Sequence, residues 1–170
     1  MNPLAISKTQ IIEDSDYIAC VKDIIESEPF LQMRRFTHHG DTSCLKHCVH
    51  VSYCSYLMAK RCGLDYKSVA RASLLHDLFL YDWHTHAKMT HDHFHGFTHP
   101  KTALKNALLH YELNELEQNI ILRHMWPLTP IPPKFKEGFI IVLMDKYCGL
   151  LETIHRTNSM VHWIKAVLKV

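Results

Sequence analysis

Apolar residues recur at helical spacing along most of this chain, and no segment alternates strictly enough between apolar and polar to read as a half-buried strand. Tyr17, Ile18, Val21, Ile24 and Ile25 share one face of a helix that starts near Ser15 and ends before Pro29. A short helical turn over residues 31–36 and a loop at His38-His39-Gly40-Asp41 follow. Thr42 or Ser43 caps a helix to about Cys62, closed by Gly63. Asp65 caps the next, from Tyr66 to about Leu78, whose apolar run Val69-Ala70-Arg71-Ala72-Ser73-Leu74-Leu75 leads into His76-Asp77. Pro100 stands where a first helical position tolerates proline, ahead of Ala103, Leu104, Ala107, Leu108 and Leu109. Asn114 with Glu117 is a capping box for a helix that carries Ile120, Ile121 and Leu122 and ends at His124. Pro127, Pro130, Pro132 and Pro133 then break helical hydrogen bonding. A helix from about Lys134 into Thr153 holds the run Phe139 to Met144, which predicts burial on most faces, and a terminal helix spans Met160 to Leu168. The pattern predicts an all-α bundle of about six to eight helices in one domain, residues 1–170, with 1–14 loosely ordered.

Length agrees, since 170 residues bury a core without disulfide staples. Scattered basic residues and a formal charge of +2 give no signal for a nucleic-acid surface. No apolar stretch approaches the roughly 20 residues of a membrane span. The six cysteines form no C-x-x-C pair. With no secretory pattern at the first residues, they read as reduced thiols of a cytoplasmic protein. Histidine is the outlier: 15 copies, most of them between His38 and His99, in a chain with 17 acidic residues.

Chemistry concentrates at His76-Asp77. A carboxylate at the inner end of an apolar helix is costly unless paired or bound to metal, and imidazole and carboxylate are both metal ligands. His47 shares a helical face with Val51, Cys54 and Met58, so it faces the core either as a ligand or as a histidine bonded to a backbone carbonyl; His50, toward its flank, competes for the role. His99 opens one helix and His124 closes another. Asp145 follows an apolar run and asks for a cation, either a metal or a Lys or Arg partner. The loop from His84 to His95 reads equally as a loose metal-binding tract and as a lid over a pocket.

Lys46-His47-Cys48-Val49-His50-Val51, then Leu74-Leu75-His76-Asp77-Leu78, then Asp145 in an apolar helix resemble the HD superfamily of metal-dependent phosphohydrolases, over about residues 43–151. The resemblance implies an all-α domain in which His47, His76, Asp77 and Asp145 hold a divalent metal, with His47 preferred to His50 because valine follows four residues later. His99 and His124 resemble the two additional ligands of the binuclear branch, where Asp77 would bridge two ions. The ions would come from Fe, Mn, Zn, Ni or Mg. Departures bear on the substrate. The Gly-Tyr-Pro of cyclic-dinucleotide phosphodiesterases is replaced by Met125-Trp126-Pro127, and their phosphate-binding lysine by Leu80. The implied function is hydrolysis of a phosphomonoester or phosphodiester, a nucleotide or small phosphorylated metabolite, by a metal-activated water. Asp77 would be central, with Lys146 the preferred phosphate-facing cation ahead of Arg123 and Lys101. A di-iron oxygenase with the same six ligands is the alternative, and an inactive binding module the third reading.

Overall fold

Polar caps and chain breakers set where the helices begin and stop. The computed structural model describes residues 8–37, 42–81 and 95–168, with side chains from 9–37, 42–81 and 96–154. Among these the chain is all-helical: eight α-helices, a 3-10 turn at Met33–Arg35, and a lone bridge between Thr37 and Ser43 in place of any strand. Helices α1 (Lys8–Glu13) and α2 (Ser15–Ile25) are divided by Asp14, whose carboxylate accepts from the Tyr17 amide at 3.0 Å. Helix α1 corrects the expectation of a loose start over residues 8–13, because the buried side chain of Ile11 anchors it; residues 1–7 lie outside the described set. Helix α3 (Glu28–Gln32) takes Pro29 in its first turn. Ser43 caps α4 (Cys44–Arg61), which ends at Cys62 before Gly63 turns left-handed at φ +67°.

Asp65 caps α5 (Tyr66–Leu75), accepting from the Ser68 amide at 3.0 Å. Helix α6 (His95–His110) begins five residues ahead of Pro100 and so takes the proline inside, not at its start. Proline there lacks the amide that would reach residue 96 and presses on that residue's carbonyl; residue 96 is glycine, where the backbone yields most readily. Helix α7 (Glu115–Arg123) has the expected capping box, with Asn114 and Glu117 exchanging bonds of 2.8 and 2.9 Å. Helix α8 (Lys136–Leu168) is one rod of 33 residues and not two helices, since neither Pro nor Gly occurs between Thr153 and Met160. Its apolar run is not buried all round. Ile140, Ile141 and Met144 face the core while Phe139 and Leu143 are exposed, as a turn of about 100° per residue requires.

Helix α5 is the axis of the bundle and packs against α2, α4, α6, α7 and α8. Ala70, Ala72 and Ser73 are fully buried and let neighbouring backbones approach, while Val69, Leu74 and Leu75 fill the space between. Burying each of those three larger side chains contributes about 1.5–3 kcal/mol. The Tyr17 hydroxyl donates to Ser52 Oγ at 2.9 Å, and that hydroxyl donates to the Ala70 carbonyl at 2.7 Å, tying α2 and α4 to α5. Arg71 joins Glu117 on α7, at 2.9 Å, to Asp23 on α2, at 2.6 Å. Among the described residues no helix is long and apolar enough to cross a membrane.

Candidate metal centre

Helix α5 stops at Leu75, three residues short of the sequence expectation, so His76 and Asp77 occupy the turn that follows it. His76 Nδ1–H donates to the Ser73 carbonyl at 2.7 Å, closing that helix end. The same device recurs after α7, where His124 Nδ1–H donates to the Ile121 carbonyl at 2.8 Å. A carbonyl can only accept, so in both rings the proton sits on Nδ1 and Nε2 points into the protein interior. Beyond Asp77 the chain leaves through Leu80, a non-glycine residue at φ +56°, and the Asn106 amide holds the Leu78 carbonyl at 2.8 Å.

The six residues expected as ligands converge there from five parts of the fold. His47, in the first turn of α4, lies with Nε2 3.1 Å from Asp145 Oδ1 on α8. His76 Nε2 is 3.6 Å from the same oxygen and 3.5 Å from Asp77 Oδ2. Asp77 Oδ1 faces the other way, 3.2 Å from His99 Nε2 on α6 and 3.7 Å from His124 Nε2. The Nε2 atoms of His99 and His124 are 2.9 Å apart. Two trios, His47–His76–Asp145 and Asp77–His99–His124, each bring their ligand atoms within 4.8 Å of one another and can hold a metal ion. An overlapping group, Cys48–His76–Asp77, meets the same test.

No protein-family model, curated protein or solved structure matches this chain. The functional reading therefore stands on geometry and electrostatics.

Burial opposes charge on His47, but its bonds to Asp145 and Glu152 outweigh it and raise the imidazole to about 10. Burial likewise works against His76, and Asp77 leads the groups that hold it well above the ordinary histidine value. Asp145 is buried, which favours its neutral form, yet His47 and His76 keep it well below the usual carboxylate range. His124 goes the other way, depressed to about 3 by burial and by His99 and His76 beside it. Protons thus sit on His47 and His76, between carboxylates, where a cation is most stabilised.

Several sequence candidates fall elsewhere. His50 is half-buried and belongs to neither trio, which separates it from His47. Lys146 lies at the surface, its Nζ 3.5 Å from the His124 carbonyl oxygen. Lys101 is exposed and Arg123 half-buried. His38, His39, His84, His86, His91 and His93 lie outside the described residues, as does the side chain of His95. Sequence reasoning missed Glu152, whose Oε2 is 3.1 Å from His47 Nδ1, and Cys48, whose Sγ is 3.8 Å from His76 Nδ1. A signal for Glu152 existed: it follows Asp145 by seven residues, two helical turns along the same face.

Proposed function

We propose that the cluster is a binuclear metal centre and that the protein is an HD-type metal-dependent phosphohydrolase acting on a small phosphorylated molecule or nucleotide. The observation that carries this reading is the placement of Asp77, one carboxylate oxygen toward His99 and His124 and the other toward His76. That is the disposition of a bridging carboxylate. His76 Nε2 is fully buried with no hydrogen-bond partner, an atom whose cost is explained if its lone pair binds a metal, with any proton there released to solvent. The 2.9 Å between His99 and His124 Nε2 also fits, since two nitrogens bound at about 2.1 Å and near right angles to one ion stand about 3 Å apart. Four imidazoles and two carboxylates suit Zn, Fe, Ni or Mn better than Mg, which prefers all-oxygen surroundings.

His47, His76 and Asp145 would hold one ion, His99 and His124 the other, and Asp77 both. Bound there, a metal pair supplies Lewis acidity toward phosphate oxygens and brings the pKa of a coordinated water toward 7. Asp77 keeps the two halves of the site in register, and the buried shell around it excludes bulk water. Lys146, with Nζ 3.5 Å from the His124 carbonyl oxygen, would offer a positive charge beside the cluster to a substrate phosphate. The same imidazole-rich donor set is equally at home with iron, and on that chemistry a di-iron oxygenase is the second reading. Metal analysis of protein purified without added metal, with an iron redox spectrum and a panel of phosphate esters, tests both. Turnover of an ester supports the hydrolase. Two irons per chain, a mixed-valent signal and no ester turned over would replace it with the oxygenase.

A further inference from the structure

We infer that Glu152 is a positioning residue of the metal centre, fixing the His47 imidazole through Nδ1 so that Nε2 is presented to the ion shared with His76 and Asp145. The inference rests on the metal reading above and extends it to a residue outside the six ligands. His47 is fully buried between two carboxylates of α8, with Asp145 at 3.1 Å from Nε2 and Glu152 at 3.1 Å from Nδ1. The Glu152 side chain is only 8% exposed. Burying a carboxylate is costly unless it is paired, and the imidazole N–H of His47 pairs with its Oε2.

The need for a carboxylate here follows from the position of His47. His76 and His124 stand just past helix ends, where a carbonyl three residues back accepts the Nδ1 proton. His47 stands inside α4, whose carbonyls are committed to the helix ladder. At the His47 ring, Glu152 stands at Nδ1 where Ser73 and Ile121 stand for the other two. A carboxylate also does more than a carbonyl. It makes the opposite ring nitrogen more basic and hence a stronger donor, the arrangement in which loss of the outer carboxylate costs about 10- to 100-fold in metal affinity.

Competition of Zn²⁺ between the protein and a chromophoric chelator reads the two equivalents separately, and the spectrum of ¹⁵N-histidine in the zinc-loaded protein reads the His47 ring. Glu152→Ala should weaken one equivalent by about 10- to 100-fold and change the other by no more than about twofold, with loss of the downfield Nδ1–H signal of His47. Glu152→Gln keeps an acceptor oxygen without the charge, so it should retain that signal and bind with intermediate affinity. If Glu152→Ala fails to fold, Glu152→Gln decides alone: wild-type affinity at both equivalents overturns the inference. Equal weakening of both equivalents in either variant overturns it as well. A wild-type protein that binds no zinc overturns the metal reading itself, a result distinct from one in which wild type and variants bind alike.

Discussion

Asp77→Asn removes one charge while preserving shape, and its effect can be worked out from where the two oxygens lie. If both trios fill, each ion at 100 times its dissociation constant stabilises the fold by about 2.7 kcal/mol, so the pair contributes about 5 kcal/mol. In a chain of 170 residues, at about 2–4 °C per kcal/mol, loading should raise Tm by about 10–20 °C. Asp77 reaches both trios, at 3.2 Å from His99 and 3.5 Å from His76, so the asparagine variant should lose most of that rise, retaining less than about 5 °C. Without metal, the neutral amide leaves His76 facing Asp145 and free to shed its proton, so no uncompensated buried charge remains and the cost stays below the roughly 3–5 kcal/mol of a broken buried pair. Thermal unfolding of chelator-treated protein titrated with Zn²⁺ measures both quantities. His124→Ala and Asp145→Asn, each touching one trio, should each keep about half the rise. A full rise in Asp77→Asn refutes the bridging placement, and a metal-free variant destabilised by the entire 5 kcal/mol or so makes Asp77 a structural residue instead.

Because His47 is raised from an ordinary 6.5 to about 10, its contribution to metal-free stability is complete below pH 6.5 and is lost as pH climbs toward 10; denaturant unfolding at the two pH values should show the fall. Metal must displace the protons of both His47 and His76, so calorimetry in two buffers of different ionisation enthalpy should find close to two protons released by this trio at neutral pH. Arg71→Ala strands the buried Glu117 and should cost about 3–5 kcal/mol, whereas Asp23→Ala removes an exposed partner at about 1 kcal/mol or less; equal costs by denaturant unfolding would refute the distinction. Lys146→Ala should raise KM for an aryl phosphate while metal content by elemental analysis stays at the wild-type level.

The helices and the ligands were legible in the sequence to different degrees, for physical reasons. Caps and breakers act locally, so Ser43, Gly63, Asp65 and the Asn114–Glu117 box marked ends that the structure reproduces. The end of α5 did not follow such a rule. No glycine or proline stops it; the His76 side chain turns back on the Ser73 carbonyl, and a histidine gives no advance notice of that choice. The joined α8 shows the opposite case, where the absence of a breaker should have weighed more than the polar composition of residues 155–159. Residue types and helical faces put His47, His76, Asp77, His99, His124 and Asp145 among the candidates, and the resemblance to the HD superfamily chose His47 over His50 and added His99 and His124 to the ligand set. Spacing put Glu152 on the face of Asp145, but its pairing with His47 depends on α8 crossing α4, a tertiary fact that spacing within one helix does not contain.

The two helix ends at His76 and His124 carry a further consequence. Each α-helix carries a dipole equivalent to roughly half a negative charge at its C-terminus, confined to the last turn. Helices α5 and α7 both deliver that end to the cluster, beside Asp77, Asp145 and Glu152. The backbone itself makes this corner of the bundle a sink for cations and a barrier to anions. If the centre is the phosphohydrolase site proposed above, loading would be ordered by charge: the cation would enter first, and a phosphorylated ligand would meet an attractive surface only once that cation offsets the field of the two helix ends.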